Sequence, residues 1–274
     1  LELEQKVEDR TLALKESIER LKAEVAKRKE AELQISEALR KERELSELKT
    51  KFLSLVSHEF KTPLSAILTS ATLIQKYTKE EQQDRREKHL KTINSKVKYL
   101  DNILNDFLSV ERLESGKTTF KFETFPLSKV VNEVIYSANM LLKDGQRIVY
   151  PENIDDISLH FDEKILELSL TNLINNAVKY SPENSVVDIQ VFQKDDFLTI
   201  KVKDQGRGIP KKEQKYIFNR YFRAENALLD QGTGIGLNIV KGYMDSLNGS
   251  VSFESEENKG STFTLTIPTN KLPE

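Results

Sequence analysis

The 274-residue chain contains no cysteine and no tryptophan, and it has only three histidines. Without cysteine it can form neither a disulfide nor a thiolate metal site, which suits a reducing compartment. No apolar run approaches the roughly 20 residues that cross a bilayer, and no signal peptide is visible. We therefore expect this chain to be cytoplasmic and to make no membrane contact. Because its first residue is Leu1 rather than Met, we expect a fragment, and an upstream sensor or membrane anchor in the full-length protein stays open.

The sequence also lacks an excess of charge of either sign. It contains 42 Lys and Arg against 44 Asp and Glu, a formal net charge of −2 at pH 7. A general nucleic-acid or anionic-membrane binder would show a basic excess, so we expect neither kind of partner. The length is sufficient for one to three domains with sizeable cores.

Residues 1–50 contain no glycine and no proline and consist almost entirely of Glu, Lys, Arg, Leu, Ala and Gln. Their apolar residues step by three and four, with a polar interruption at Arg28 and Glu32, which is a coiled-coil pattern. The first set is Ile18, Leu21, Val25, Ile35 and Leu39, and a second set, offset by one residue, is Leu45, Leu48, Phe52 and Leu55. We predict a signalling coiled-coil helix with a discontinuity in its winding; a single charged surface helix is the alternative.

A histidine with an acidic neighbour lies on the continuation of this helix, in residues 57–63 (SHEFKTP). The neutral imidazole of His58 can act as a nucleophile, and the adjacent Glu59 can take up a proton. Pro63 lacks an N–H and is expected to kink or loosen the helix. An apolar stripe indicates that His58 points away from the core; its members are Val56, Phe60, Pro63, Ile67, Ala71 and Ile74. Taken alone, the motif also fits an ordinary exposed histidine.

The pattern over residues 51–116 predicts a helical hairpin. The first helix runs to about Tyr77, residues 78–84 form a loop, and the second helix ends near Gly116. The second helix has its own apolar stripe, which consists of Leu90, Ile93, Val97, Leu100, Leu104 and Phe107. Because each helix has one stripe, two hairpins would bury all four stripes in a dimeric four-helix bundle.

From about Thr118 onward, strands and helices mix without a regular βαβ alternation. Residues 117–270 are therefore predicted to form an α+β sandwich, a sheet with helices on one face, followed by a tail at 271–274. The predicted strands cover residues 120–125, 147–150, 157–161, 185–193, 197–203, 251–254 and 262–267. The predicted helices cover residues 127–143, 162–180 and 236–247.

Half of the ten glycines fall in two clusters, residues 204–210 (DQGRGIP) and 232–237 (GTGIGL). Glycine lets backbone N–H groups approach an anion closely, and the second cluster runs directly into a predicted helix, as a phosphate cradle does. No lysine follows at the Walker spacing, so this is not a P-loop. A flexible turn is the alternative for one such cluster alone.

The predicted helix at 162–180 adds metal chemistry. Asn172, Asn176 and Lys179 step by four and three, so they share one face opposite an apolar one. Asparagine carbonyls are hard oxygen ligands for Mg²⁺, which otherwise keeps waters and the phosphates of a nucleotide, and a lysine can offset phosphate charge. The alternative is a polar helix face with no ligand.

Together these motifs resemble, in order and spacing, those of the sensor histidine kinases of two-component systems. Residues 57–63 resemble the phosphoacceptor box, residues 172–181 the asparagine box, and the two glycine clusters the glycine boxes; residues 217–223 (IFNRYFR) resemble the aromatic box between them. The resemblance implies a dimerisation and phosphotransfer hairpin of the HisKA type, followed by an ATP-binding α/β sandwich of the Bergerat type. The cofactors it implies are ATP and Mg²⁺.

The resemblance also implies roles for individual residues. In the hairpin, His58 would accept the γ-phosphoryl group, Glu59 would be its general base, and Thr62 would orient water for dephosphorylation of a partner. In the nucleotide domain, the Mg²⁺ ligand would be Asn176, supported by Asn172, and the nucleotide contacts would be Lys179, Tyr180, Asp204, Gly206, Gly208, Gly232, Thr233, Gly234, Gly236 and Leu237. Within that set Asp204 would bind the adenine amino group. Arg220 would neutralise charge on the transferring group.

The resemblance thus implies a homodimeric kinase core whose partner is the receiver domain of a response regulator. Gln205 and Arg207 depart from the residues more usual in the first glycine box, and Arg207 could alter nucleotide affinity. Two other functions stay open: an ATPase of the same fold, of the GHKL class, that performs conformational work, and a non-catalytic coiled-coil scaffold.

Overall fold

The computed structural model describes residues 2–116, 118–151, 154–228, 230 and 232–269. The chain divides into two compact units, Leu1–Leu55 and Val56–Glu274. The first helix, α1, spans Glu2–Lys76, and the side chains of several of its residues, His58 among them, lie outside the described part. Within the described residues, no helix is long and apolar enough to cross a membrane.

The first unit is helical wherever its backbone is described. The first predicted seam is exposed within this single chain, its side chains being Ile18, Leu21, Val25, Ile35 and Leu39. The side chains of the second set, Leu45, Leu48, Phe52 and Leu55, lie outside the described residues. The predicted coiled coil therefore stays a prediction, because its apolar seam would be covered by another helix.

The second unit begins with the predicted hairpin. After α1 ends at Lys76, a short 3₁₀ turn, Glu80–Gln82, leads into α2, Gln83–Ser115. Arg86 joins the two helices at the turn, because its guanidinium donates to the carbonyl of Tyr77 (2.7 Å). Gly116 follows α2 in the left-handed conformation (φ 62°), as expected for a glycine that ends a helix. Pro63 is buried inside α1, which remains helical through it.

The remainder of the chain is a sheet with helices on one face. Its elements are β1 Phe122–Pro126, α3 Leu127–Asn139, β2 Arg147–Val149, β3 Ser158–Asp162, α4 Glu163–Tyr180, β4 Val186–Lys194, β5 Phe197–Lys203, α5 Gly236–Ser246, β6 Ser250–Glu256 and β7 Gly260–Pro268. The five-stranded sheet has the order β2-β4-β5-β7-β6, and only the β2–β4 pair is parallel. Strands β1 and β3 form a separate antiparallel pair. The predicted α+β sandwich is confirmed.

Helix α4 lies at the centre of this core. Leu166, Leu170 and Leu173 are almost fully buried, as are Leu198 and Ile200 on the helix-covered face of the sheet. Burying each such side chain contributes about 1.5–3 kcal/mol relative to exposure. Because the apolar face of α4 is fixed in this core, its polar face is held in a defined position at the edge of the domain.

Several element boundaries differ from the sequence prediction, mostly by one or two residues, and the end of α3 differs by four. The strand predicted from residue 120 begins at Phe122, and the helix predicted to run to residue 143 ends at Asn139. The early end of α3 has a physical reason in the turn that follows it. There Lys143 donates to the carbonyls of Lys179 (2.8 Å) and Ser181, and Gln146 donates to that of Val178 (3.1 Å). The turn thus satisfies carbonyls at the end of α4, which a longer α3 would not do.

Candidate functional site

The polar face of α4 contacts the second glycine cluster. The amide nitrogen of Asn172 donates to the carbonyl of Leu168 (3.0 Å), and its oxygen lies so close to Gly236 that a Cβ there would collide with it. The ammonium of Lys179 lies 3.0 Å from the position that a Cβ of Gly232 would take. Asn176 is half-buried on the same helix. The structure therefore brings the predicted asparagine box and the second glycine box together.

Lys179 also contacts its neighbour on the helix. Its ammonium is 3.0 Å from the Tyr180 hydroxyl and 4.6 Å from the centroid of the Tyr180 ring. The guanidinium of Arg207 lies 5.6 Å from the same centroid. One aromatic ring thus has two cations near it, an arrangement that cation–π attraction favours.

Asp204 is a buried carboxylate just after β5. Its side-chain oxygen Oδ1 accepts hydrogen bonds from the backbone N–H groups of Gly206 (2.7 Å) and Ser261 (3.1 Å). Burial raises the pKa of Asp204, and these two hydrogen bonds act against that rise. Within the described residues no donor reaches Oδ2, so this second oxygen can accept from a ligand.

Two glycines of the clusters occupy positions that other residues adopt only with strain. Gly208 has φ 63°, and a Cβ there would collide with the carbonyl of Glu256. Gly234 has φ 71°, and a Cβ there would lie 2.7 Å from the carbonyl oxygen of Phe222. These φ values are in the left-handed region that glycine adopts without steric cost. The predicted turns at both clusters thus depend on glycine.

We call residues 217–235, which run from the predicted aromatic box into the second glycine cluster, the lid segment. The Tyr221 N–H donates to the carbonyl of Gly234 (3.1 Å), and the Asn238 amide donates to that of Phe218 (2.9 Å). Arg207 of the first cluster forms an ion pair with Asp230 (2.9 Å) and donates to the carbonyl of Asn226. Arg207, one of the two residues that depart from the usual glycine-box pattern, therefore connects the first glycine cluster to the lid segment.

The phosphoacceptor motif lies on α1, where the structure describes the backbone of His58 and not its side chain. The prediction that His58 points away from the core thus lies outside the described residues. Glu59 is only 7% exposed, and its oxygen Oε2 accepts a hydrogen bond from the Tyr99 hydroxyl on α2. Thr62 is exposed. The carboxylate next to the predicted phosphoacceptor is therefore held by a residue of the second helix.

Helix α2 contacts the nucleotide domain through a face that the sequence analysis did not identify. Thr233 donates to Asp106 (3.4 Å), Arg220 forms an ion pair with Glu114, and a Cβ on Gly242 would lie 2.9 Å from Leu113 Cδ1. Burial raises the pKa of Asp106 to about 6, against the lowering effect of the Thr233 hydrogen bond. The predicted site residues Thr233 and Arg220 are thus held by α2 in this structure.

Tyr99, Asp106 and the backbone of Ser261 were not among the residues predicted from the sequence. A signal for the first two was present, because Tyr99, Ile103, Asp106, Val110 and Leu113 step by four and three. That row lies beside the predicted stripe of α2 and contains the buried Ile103 and Val110. Ser261 has no such signal, since it contributes a backbone N–H that any residue carries.

Comparison with protein families identifies two domains in the chain. Residues 161–271 match the family "Histidine kinase-, DNA gyrase B-, and HSP90-like ATPase". Residues 48–116 match the "His Kinase A (phospho-acceptor) domain". The matched regions contain the polar face of α4 and both glycine clusters in the first case, and His58, Glu59 and Tyr99 in the second.

Curated relatives are similar over most of this chain. The aerobic respiration control sensor protein ArcB homolog of Haemophilus influenzae is 33% identical over 242 residues, which cover 87% of this chain and 73% of that protein. The signal transduction histidine-protein kinase BarA of Escherichia coli K12 is 28% identical over 96% of this chain. The circadian input-output histidine kinase CikA of Synechococcus elongatus is 28% identical over 82% of this chain. The chain spans only 28% of BarA and 31% of CikA.

Solved structures show the same fold. The histidine kinase AdeS of Acinetobacter baumannii superposes with a TM-score of 0.56 at 21% identity, covering 78% of this chain and 98% of that one. Full-length ShkA, solved in complex with AMPPNP, gives a TM-score of 0.55 at 24% identity, covering 81% of this chain and 46% of that one.

Proposed function

This chain belongs to the sensor histidine kinases of two-component systems, and from that premise we propose that it uses Mg-ATP to phosphorylate its own His58. It then passes the phosphoryl group to an aspartate on the receiver domain of a response regulator. One observation carries the proposal: Asp204, Asn172 and Lys179 converge with the glycine clusters on one site. The same compact unit contains the part of α1 that includes His58 and Glu59.

The nucleotide would be bound through its base and its phosphates. The Oδ2 of Asp204 is the acceptor that the adenine amino group requires, and Gly206 and Gly208 let the backbone approach the base. Lys179 and Tyr180 would contact the nucleotide from α4. The backbone of Gly232, Thr233, Gly234, Gly236 and Leu237 would surround the phosphates at the start of α5.

The residues present fit a magnesium ion held mainly by the nucleotide. Within the described residues, no group of three or more His, Cys, Asp or Glu side chains is placed to hold a metal. Asn176, with Asn172 one turn away, instead offers hard amide oxygens on the face that meets the phosphate-binding cluster. When bound, the ion would offset phosphate charge. Asn176 is the ligand we propose, and Asn172 supports it.

The phosphoryl transfer follows from the residues of the hairpin. The unprotonated ring nitrogen of neutral His58 attacks the γ-phosphorus, and an N–P bond forms as the bond to the β,γ-bridging oxygen breaks. The electron pair of that bond leaves on ADP, and the proton on the other ring nitrogen passes to Glu59. Arg220 is paired with Glu114 here, so it must exchange that carboxylate for the transferring group in order to neutralise its charge.

We also propose that the hairpin dimerises. The predicted stripe of α2 remains 44–51% exposed at Leu90, Val97, Leu104 and Phe107 within this chain. A second hairpin would cover these side chains in a four-helix bundle. In such a dimer Thr62, one helical turn after His58, could orient water for dephosphorylation of the regulator.

Incubation with γ-labelled ATP tests the function. We expect label that survives base, is lost in acid and is absent from His58→Gln. ATP turnover that is unchanged in His58→Gln would instead favour the GHKL-class ATPase that performs conformational work. A chain that binds no Mg-ATP would favour the non-catalytic scaffold.

A further inference from the structure

Tyr99 has a role that rests on the proposed function: we propose that it is a positioning residue that holds the carboxylate of Glu59, the residue after His58 in the sequence, in one orientation. The two residues are 40 positions apart on the facing helices α1 and α2. The Tyr99 hydroxyl donates to Oε2 of Glu59, which leaves Oε1 to receive the proton from the imidazole.

The burial of Glu59 makes this hydrogen bond consequential. With 7% exposure, the carboxylate has little access to water that could replace a lost donor. A buried carboxylate that loses its hydrogen-bond donor is left unsatisfied, which is costly. Tyr99 therefore fixes the side-chain orientation of Glu59.

The donor itself is permanent over the physiological range. Burial raises the pKa of Tyr99 well above its ordinary value, and the hydrogen bond to Glu59 raises it further. The other charged groups that face Tyr99 are Arg223, which lowers its pKa, and Asp106, which raises it. The phenol thus stays protonated and donates at every pH at which the enzyme would work.

The contribution of the Tyr99 hydroxyl can be tested apart from the packing of the Tyr99 ring. Tyr99 lies on the row of α2 that contains the buried Ile103 and Val110, so a phenylalanine at position 99 keeps the apolar contact. What Tyr99→Phe removes is the donor to Glu59. The matched control is Tyr77→Phe, which removes a hydroxyl from the same hairpin at its other end, where the Tyr77 ring stacks on His89.

The test is autophosphorylation of the whole chain as a function of ATP concentration, with thermal unfolding and ATP affinity measured alongside. In Tyr99→Phe we expect the rate at saturating ATP to fall about ten-fold while the KM for ATP stays unchanged, because the bond to Tyr99 orients the proton acceptor and does not touch the nucleotide. ATP affinity should be unchanged, and Tyr77→Phe should behave like the wild type.

The outcomes separate this inference from the function on which it rests. A wild-type chain that incorporates no acid-labile phosphate contradicts the proposed function. A labelled wild type with an unchanged rate in Tyr99→Phe overturns the role of Tyr99 alone, and so does a lower unfolding temperature with an unchanged rate. If Tyr99→Phe does not fold, Tyr99→His retains a donor and should keep more activity than Tyr99→Leu; equal losses overturn the inference.

Discussion

Asp204 is a buried carboxylate that can recognise the amino group of a ligand. It follows β5 directly, and two backbone N–H groups hold its Oδ1 in one orientation. Because those donors come from Gly206 and from Ser261 on a neighbouring strand, the direction of the carboxylate depends on the fold of the whole domain. A ligand with an amino group would meet a fixed acceptor.

We expect Asp204→Asn to weaken ATP binding by about ten-fold or more, since a hydrogen bond to a charged group contributes about 1.5–3 kcal/mol. The amide can also turn a donor toward the adenine amino group, which would reduce the preference for ATP over GTP. Titration with a fluorescent nucleotide measures both effects. Asp195→Asn, in the exposed β4–β5 turn, is the matched control. Equal affinity in the two variants would contradict the role of Asp204.

Asp106 predicts a pH dependence of stability. Its pKa is raised from 3.8 to about 6 in the folded protein, so the fold binds this proton more tightly than the unfolded chain does. The stabilisation from Asp106 is complete below pH 4 and is lost as the pH rises through 6, by up to about 3 kcal/mol. Asp106→Asn should therefore flatten the fall in unfolding free energy between pH 4 and pH 7.

Chemical denaturation at a series of pH values measures this effect. Asp101→Asn removes a carboxylate from an exposed position on the same helix and should leave the wild-type profile unchanged. Parallel profiles for Asp106→Asn and the wild type would contradict the assignment. Asp204, whose pKa is also raised, is present in all three proteins and cancels from the comparison.

At this scale the sequence predicted the residues that belong to local motifs. Asp204, Gly208 and Gly234 follow from short patterns; in the structure Asp204 accepts two backbone hydrogen bonds, and both glycines have left-handed backbone conformations. Tyr99 and Asp106 were not predicted, because their partners are 40 and 127 positions away. Periodicity shows that a residue faces a core, but it does not show which side chain lies opposite.

Helix α2 is the element in which prediction and structure differ most. The sequence analysis predicted one apolar stripe, whereas α2 has two neighbouring faces. The first is the predicted stripe, and the second is the row from Tyr99 to Leu113 that contacts Glu59 and the nucleotide domain. The second row was missed because Tyr99 and Asp106 are polar, so apolar spacing alone does not identify it. By contrast, the bounds of α1, α4 and α5 lie within one residue of those predicted.

Because the two faces of α2 are separate, we predict that dimerisation can be disrupted without disturbing the contacts of the row from Tyr99 to Leu113. We expect Leu104→Glu, on the half-exposed stripe, to convert the dimer to a monomer because it places a charge in the bundle core. Asn102→Glu adds the same charge to an exposed position on another side of α2 and should remain dimeric. Light scattering measures the masses, and ATP affinity should be unchanged in both. A dimeric Leu104→Glu would show that this stripe is not the interface.

At the scale of the whole molecule, the nucleotide domain and the hairpin belong to one compact unit. Their contacts use residues that the proposed reaction also needs, because Arg220 is paired with Glu114 and Thr233 with Asp106. The structure thus holds two predicted site residues against α2. The proposed role of Arg220 requires it to leave Glu114, so we expect this ion pair to act against autophosphorylation.

We expect Glu114→Gln to raise the rate of autophosphorylation about two- to three-fold, since Arg220 would be released for the transferring group. The ion pair is partly exposed, so its loss should cost less than about 1 kcal/mol of stability. Labelling kinetics and thermal unfolding measure the two quantities. Glu111→Gln, on an exposed position of the same helix, is the control. An unchanged or lower rate in Glu114→Gln would show that the pair does not restrain the enzyme.

The absence of cysteine makes it practical to measure how far the nucleotide domain moves from α2. Any cysteine introduced into this sequence is its only thiol, so a dye can be attached at a single chosen atom. The third side of α2, where Lys98, Asp101 and Asn105 are exposed, avoids both the stripe and the Tyr99 row. In dimers that carry the donor dye on one chain only, at Lys98→Cys, energy transfer to a labelled nucleotide would report the distance between hairpin and nucleotide.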